Sequence, residues 1–214
     1  MNKIFILLLS CCLWTTVSTA QTTDGFAVDT LSDELFARMK GRSYPDGCTT
    51  ARQDLRHLTV KHFDANGQEH LGEIVCNKRI ANDLLDIFQK LHEARYPIER
   101  ITLIDNYDAD DEQSMRANNT SCFCFRKVSG TKNLSKHATG MAIDINPLYN
   151  PYIHTLRDGT RKVEPATATK YTDRQKDFPY KILRDDLCYR LFIEHGFTWG
   201  GNWRTMKDYQ HFEK

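Results

Sequence analysis

The sequence predicts an α+β fold in which helices pack on a small, mainly antiparallel sheet. Residues 79–94 carry apolar side chains at helical spacing, which makes them the clearest amphipathic helix. Segments 55–63 and 70–76 resemble two strands, and the Asn-Gly pair between them is a strong hairpin signal. Residues 142–145 form an apolar run that is typical of a buried strand.

Other elements follow from shorter patterns. Residues 31–39 are predicted as a helix with Ser32 near its start, where a hydroxyl can cap the first turn. Pro97 ends the long helix, because proline cannot continue one, and we expect a buried strand at residues 101–104.

Towards the carboxyl end, residues 185–195 are predicted as a helix that Gly196 stops. Two short β-like segments follow at residues 197–199 and 209–213. Residues 148–180 show little periodicity, so we expect a long irregular loop, of a length that suits a cover over a cleft.

Residues 1–20 have the features of a secretory signal peptide. Lys3 supplies the positive charge, residues 4–9 are apolar, and small residues precede Gln21. We therefore expect an exported protein, periplasmic or secreted, with residues 21–214 as a single domain. An alternative is lipoprotein processing, which would leave a lipid anchor on Cys11.

Composition excludes some classes of partner. The chain has 29 basic and 28 acidic side chains, with 27 % charged and 11 % aromatic residues. No basic run with interleaved aromatics is present, so we expect no nucleic-acid partner. The composition is that of an ordinary globular protein. Nothing in the sequence implies a protein partner, and we expect a monomer.

Five cysteines remain after signal cleavage, an odd number that leaves at least one thiol without a partner in the chain. Alternation in Cys122-Phe123-Cys124 predicts a strand whose two thiols face opposite ways. We interpret the set as structural rather than metal-binding, and the sequence leaves the pairing open. The five are Cys48, Cys76, Cys122, Cys124 and Cys188.

His137 and Asp144 are the first pair of candidate metal ligands. Seven extended residues span about 23–25 Å, so the chain must reverse between them, and Gly140 is suited to that turn. Asp144 would face away from Ile143 and Ile145, and burying a carboxylate there requires a cation or hydrogen bonds. The alternative is a turn-capping histidine and a solvent-facing aspartate.

Asp208 and His211 form a second pair. Residues three apart face opposite ways in a strand, so both can reach one ion only across a bend or in a helix. Taken alone, they equally suit a surface aspartate and a half-buried histidine. Together with the first pair, they supply the three ligands and the base that a hydrolytic zinc site needs.

The two motifs together resemble the zinc D-alanyl-D-alanine peptidase family, which includes vancomycin-resistance dipeptidases and phage L-alanyl-D-glutamate endolysins. The family pattern Ser-x-His-x-x-Gly-x-Ala-x-Asp is present without a gap, and an acidic residue, two spacers and His close the chain. The matching positions are Ser135, His137, Gly140, Ala142, Asp144, Asp208 and His211. The likeness extends over most of residues 98–214, with little in residues 21–97.

This resemblance implies the zinc-bearing fold shared with the hedgehog domain, and one zinc ion held by His137, Asp144 and His211. It implies Asp208 as the general base on the zinc-bound water, where the dipeptidases have Glu and the endolysins Asp. An arginine would stabilise the oxyanion, and we expect Arg126 in this role, with Arg116 as its rival.

The implied activity is hydrolysis of peptidoglycan stem peptides beside a D-amino acid, by a carboxypeptidase or an endopeptidase. Ser135 and Trp203 are candidate substrate-binding residues, although Ser135 also suits a turn cap and Trp203 a rim position. We interpret the remaining histidines as structural or solvated.

Two other hypotheses compete with a peptidoglycan peptidase. A non-catalytic zinc-containing module of hedgehog type would bind a wall component or another ligand without turnover, since fold alone does not fix function. Asp208 favours the enzyme, because binding needs ligands but no base. A serine or cysteine hydrolase has little support, because no Gly-x-Ser-x-Gly is present.

Overall fold

The computed structural model describes residues 24–128 and 130–214; the predicted signal peptide and Cys11 lie outside these ranges. The helices are α1 (Asp33–Met39), α2 (Ala81–Glu93), α3 (Asp111–Arg116) and α4 (Leu187–Glu194). The strands are β1 (Ala27–Thr30), β2 (Leu55–Phe63), β3 (Glu69–Asn77), β4 (Arg100–Ile101), β5 (Asn119–Thr120), β6 (Ala142–Asp144), β7 (Tyr152–Thr155), β8 (Arg161–Glu164), β9 (Thr198–Trp199), β10 (Met206–Asp208) and β11 (His211–Glu213). In these ranges, no helix has the length and apolar character that a bilayer crossing requires.

The amino-terminal half is an antiparallel sheet, β1-β2-β3, with α2 packed against it. The predicted hairpin is confirmed: β2 and β3 pair along their whole length, from Leu55 opposite Asn77 to Phe63 opposite Glu69. The predicted helix at residues 79–94 is confirmed as α2, whose apolar face is fully buried. Burial of such a face supplies the main driving force for helix and sheet to pack.

The carboxyl-terminal part adds a second antiparallel sheet, β6-β11-β9. Ile143 of β6 pairs with Phe212 of β11, and both are fully buried. Phe212 stacks on Phe192 of α4 at 4.2 Å between ring centroids. The predicted helix at residues 185–195 is confirmed as α4, and this packing fixes the strand that carries His211.

Residues 148–180 were predicted as an irregular loop, and this prediction is wrong. They contain the hairpin β7-β8, which pairs with β10 in a third antiparallel sheet. The strands have four residues each and alternate polar with apolar side chains only briefly, so their pairing depends on β10 rather than on local pattern.

The α+β class is confirmed, although the predicted sheet is divided into several small ones, and β4-β5 is a parallel pair. The strand predicted at residues 101–104 is shorter, because Ile104 begins a 3-10 helix instead. Residues 122–124 are buried but form no strand, so that prediction is also wrong. All five cysteines of the described residues are free thiols.

Candidate active site

The first motif folds into a tight turn. Residues Lys136–Thr139 form a 3-10 helix, and the Ser135 hydroxyl caps it by accepting a hydrogen bond from the His137 backbone N–H at 3.2 Å. Gly140 follows with φ of +67°, a left-handed conformation that favours glycine. The predicted reversal at Gly140 is therefore confirmed, and it brings His137 back towards β6.

Three successive carbonyls of this turn are held by the amino-terminal half of the chain. The Asn77 backbone N–H donates to Gly140 O at 2.9 Å, and its side-chain amide donates to Thr139 O at 2.9 Å. The Thr50 hydroxyl donates to Ala138 O at 2.8 Å. Buried backbone groups need such partners, so these bonds fix the turn relative to β3.

The structure brings His137, Asp144 and His211 together. Asp144 and His211 are directly opposite each other in the β6-β11 pair, and each of the three residues is no more than 6 % exposed. His137 Nε2 lies 3.2 Å from Asp144 Oδ2 and 3.2 Å from His211 Nδ1, and His211 Nδ1 lies 3.1 Å from Asp144 Oδ1. Asp144 faces away from the core, as the strand pattern predicts.

Each imidazole is oriented through its other ring nitrogen. His137 Nδ1 donates to Cys122 O at 2.6 Å, and His211 Nε2 donates to Glu213 Oε2 at 3.1 Å. Such partners fix which nitrogen keeps its proton, and they are a recurring feature of metal-ligating histidines. His137 Nε2 and His211 Nδ1 therefore face the centre of the cluster.

This centre favours a positive charge. Burial alone would raise the pKa of Asp144, but the charges and hydrogen bonds of His137 and His211 hold it well below its usual range. Burial alone would lower the pKa of His211, yet its hydrogen bonds to Asp144 and Glu213 raise it to about 10.

The cluster also has the dimensions that zinc requires. Ligand atoms about 2.0–2.2 Å from a tetrahedral zinc ion are about 3.3–3.6 Å apart, close to the 3.1–3.2 Å contacts found here. Two imidazoles and one carboxylate are a donor set that leaves a fourth position open. His137, Asp144 and His211 form the one group in the described residues with metal-ligand spacing.

Asp208 reaches the same place by a bend. It ends β10, and a two-residue turn at Tyr209 and Gln210 leads into β11, so Asp208 and His211 lie on different strands and different sheets. Its Oδ1 atom is buried without a hydrogen-bond partner. Burial, together with the charge of Asp144, raises the pKa of Asp208 to about 7, a value that suits a general base.

The cluster lines a cavity of about 420 Å³, and of the two candidate arginines only Arg126 is among the lining residues. Arg126 lines it and is paired with Asp111 at 2.8 Å, and its Nε atom is buried without a partner. Arg116 is half-exposed, pairs with Glu112 on the same helix and is not among the lining residues.

The two residues predicted to bind substrate also border the cavity. Ser135 is buried, and its hydroxyl forms the turn cap described above. Trp203 is half-buried, with its ring 5.4 Å from that of His211 between centroids. Both therefore lie where a substrate could touch them.

Several residues that line the cavity have no signature in the sequence. Tyr152 lies between Asp208 and Glu164 in the register of the third sheet, so this row forms one side of the cavity. Asp111 contributes from the start of α3. Only a correct prediction of the β7-β8 hairpin and its alternation would have placed Tyr152 and Glu164 beside Asp208.

Comparison with known proteins agrees with this geometry. The family model described as D-alanyl-D-alanine carboxypeptidase matches residues 129–214, which include both motifs. No curated protein and no solved structure matches the chain. Residues 129–214 therefore match this family's model, which confirms the resemblance that the two motifs predicted.

Proposed function

We propose that this protein is a zinc-dependent peptidase that hydrolyses peptidoglycan stem peptides beside a D-amino acid. The observation that carries the proposal is the convergence of three buried ligand atoms with the unpartnered carboxylate oxygen of Asp208 in one cavity. The family match supports a carboxypeptidase-type peptidase. Zinc, the roles of single residues and the bond cleaved belong to the proposal.

Zinc held by His137, Asp144 and His211 would act as a Lewis acid and would lower the pKa of water at its open position towards about 7. Asp208 then takes the proton of the attacking water and passes it to the leaving amine. Its raised pKa favours both steps, since the group can accept a proton near neutral pH and release it again. Gln210 hydrogen-bonds to the same carboxylate and holds it in place.

Arg126 donates to the oxygen of the scissile carbonyl as negative charge develops there. Its side chain lines the cavity and is 27 % exposed, which leaves part of it open to a bound peptide. One donor of this kind is commonly worth about 10²–10³ in kcat. Trp203 and Ser135, which line the same cavity, would contact the peptide.

The test is digestion of purified peptidoglycan with identification of the released muropeptides by mass spectrometry. The product masses distinguish loss of a terminal D-amino acid from cleavage within the stem. We expect Asp208→Ala to keep bound zinc and to lose activity by about 10²–10⁴. Asp29→Ala, which removes an exposed carboxylate from β1, is the matched control and should behave as the unaltered protein.

The hedgehog-type alternative gives a different result in the same experiment. A binding module would hold zinc but release nothing from peptidoglycan, and Asp208→Ala would be no less active than the unaltered protein. Activity that persists after removal of zinc by a chelator would contradict the metal-dependent mechanism altogether.

A further inference from the structure

We infer that Asp111 is a positioning residue for Arg126: it holds the guanidinium on the cavity wall and keeps it from pairing with the carboxylates of the reaction centre. This inference rests on the proposed function, because it assigns the support of a group that acts in that reaction. Asp111 itself touches neither the ligand cluster nor the base through any contact found in the described residues.

The contact is short and directional. Arg126 Nη2 lies 2.8 Å from Asp111 Oδ2, the distance of a charge-assisted hydrogen bond. Both side chains are about 30 % exposed, so water screens the pair less than it would a surface pair. Arg126 Nε makes no hydrogen bond, so the pair with Asp111 fixes the guanidinium at its Nη2 end only.

Asp111 is itself held firmly. It is the first residue of α3, directly after the N-cap Asp110, whose side chain accepts from the Gln113 backbone N–H at 3.0 Å. The next residue, Glu112, accepts from the Ala166 backbone N–H at 2.9 Å, which joins the start of α3 to the segment after β8. These bonds hold the chain on either side of Asp111.

Arg126 has other acids within its electrostatic reach. Asp144 and Asp208 both raise its pKa, with Asp111 as the largest favourable contribution against the cost of burial. A guanidinium released from Asp111 would be attracted to Asp208, and an ion pair there would lower the basicity of the proposed base. Asp111 thus opposes an ion pair between Arg126 and Asp208, which would inactivate both the proposed oxyanion donor and the proposed base.

The experiment compares Asp111→Asn with Asp111→Glu in the zinc-loaded protein. Asn keeps the size of the side chain and removes its charge, whereas Glu restores the charge on a longer stem. We expect Asp111→Asn to lower kcat by about tenfold or more, less than the 10²–10³ expected for loss of Arg126, with KM and zinc content unchanged. Asp111→Glu should recover part of the lost kcat.

Asp108→Asn is the matched control. It removes the carboxylate of another aspartate–arginine pair, with Arg42 at 3.1 Å, which lies outside the cavity. We expect no change in kcat there. A fall equal to that of Asp111→Asn would assign the effect to general destabilisation and overturn the inference.

A double-mutant cycle separates positioning from an independent role. If Asp111 acts through Arg126, Asp111→Asn should have no further effect on kcat in an Arg126→Ala background. An additive loss, a loss of zinc in Asp111→Asn, or an unchanged kcat in Asp111→Asn would each overturn the inference.

A measurement that needs no substrate distinguishes this inference from failure of the proposed function. The Nε–H of Arg126 has no accessible surface, so its proton should exchange slowly with solvent in an NMR experiment. We expect faster exchange in Asp111→Asn and not in Asp108→Asn. Should the unaltered protein cleave no peptide, equal exchange rates in all three proteins would still reject the role of Asp111.

Discussion

His137 Nε2 and His211 Nδ1 face each other at 3.2 Å across the carboxylate of Asp144. Each ring has its other nitrogen committed, one to a backbone carbonyl and one to Glu213. The two inner nitrogens and the carboxylate can lie this close only with a positive charge among them, which a proton on His211 or a metal ion would supply. The arrangement is therefore a cation site by its electrostatics as well as by its dimensions.

We expect each of His137→Ala, Asp144→Ala and His211→Ala to lose bound zinc, because two remaining ligands cannot complete the site. Metal content after gel filtration, measured by mass spectrometry, checks this. His70→Ala removes a half-exposed imidazole outside the cavity and should retain zinc. Full occupancy in any of the three variants would remove that residue from the ligand set.

Glu213→Gln should weaken zinc binding by about 10- to 100-fold while leaving a folded protein. The carboxylate fixes the orientation of His211 and accepts from its Nε2, and a neutral amide does this less well. Competition with a chromogenic chelator measures the affinity. Glu194→Gln, at the exposed end of α4, is the control, and equal affinity in the two variants would argue against the role of Glu213.

Arg126→Ala should keep zinc and lower kcat by about 10²–10³, since it removes the proposed oxyanion donor from the cavity. Arg116→Ala should change kcat little, because its guanidinium pairs with Glu112 on the surface of α3. Steady-state kinetics on the identified peptide compare them directly. The reverse result, with collapse only in Arg116→Ala, would transfer the role to Arg116.

Trp203→Ala should raise KM several-fold and leave zinc content unchanged, because the ring borders the cavity without contacting the ligands by hydrogen bonds. Initial rates over a range of peptide concentrations give the two constants separately. A fall in kcat at constant KM would instead mean that Trp203 positions His211 rather than the substrate.

Gly140→Ala should lower the free energy of unfolding by more than the roughly 1–2 kcal/mol that a left-handed conformation costs an L residue. A Cβ there would also lie 2.7 Å from the backbone nitrogen of Asn77. Gly130→Ala is a close control, since Gly130 has φ of +75° and no atom within 4 Å of such a Cβ. Urea unfolding compares the two, and equal losses would contradict the steric argument.

Local patterns were sufficient for the first hairpin, for α2 and for the turn of the first motif. The Asn-Gly hairpin, the apolar face of α2 and the reversal at Gly140 each follow from a few neighbouring residues, and the structure shows all three. The sequence allows either a bend or a helix between Asp208 and His211. The structure has the bend, because β10 and β11 belong to different sheets.

The remaining parts of the site depend on contacts between distant segments. β7 and β8 are short and half-exposed, so their sequence has no clear period. They are strands because they pair with each other and β7 also pairs with β10. Asp111 and Arg126 have no spacing that indicates a pair, and only the packing of α3 at the cavity rim brings them together. Tyr152 lies in the site because it pairs with Asp208 of β10.

The hydrogen bonds that Thr50 and Asn77 donate to three carbonyls make residues 129–214 dependent on the rest of the chain. Residues 129–214 contain every proposed ligand, yet the loop that presents His137 takes its hydrogen-bond donors from outside them. Ile143 and Ile145 likewise pack in one cluster with side chains of β2, β3 and α2. A fragment cut to the family boundary would keep the proposed ligands and Asp208, but it would lose Arg126 and the framework that orients His137.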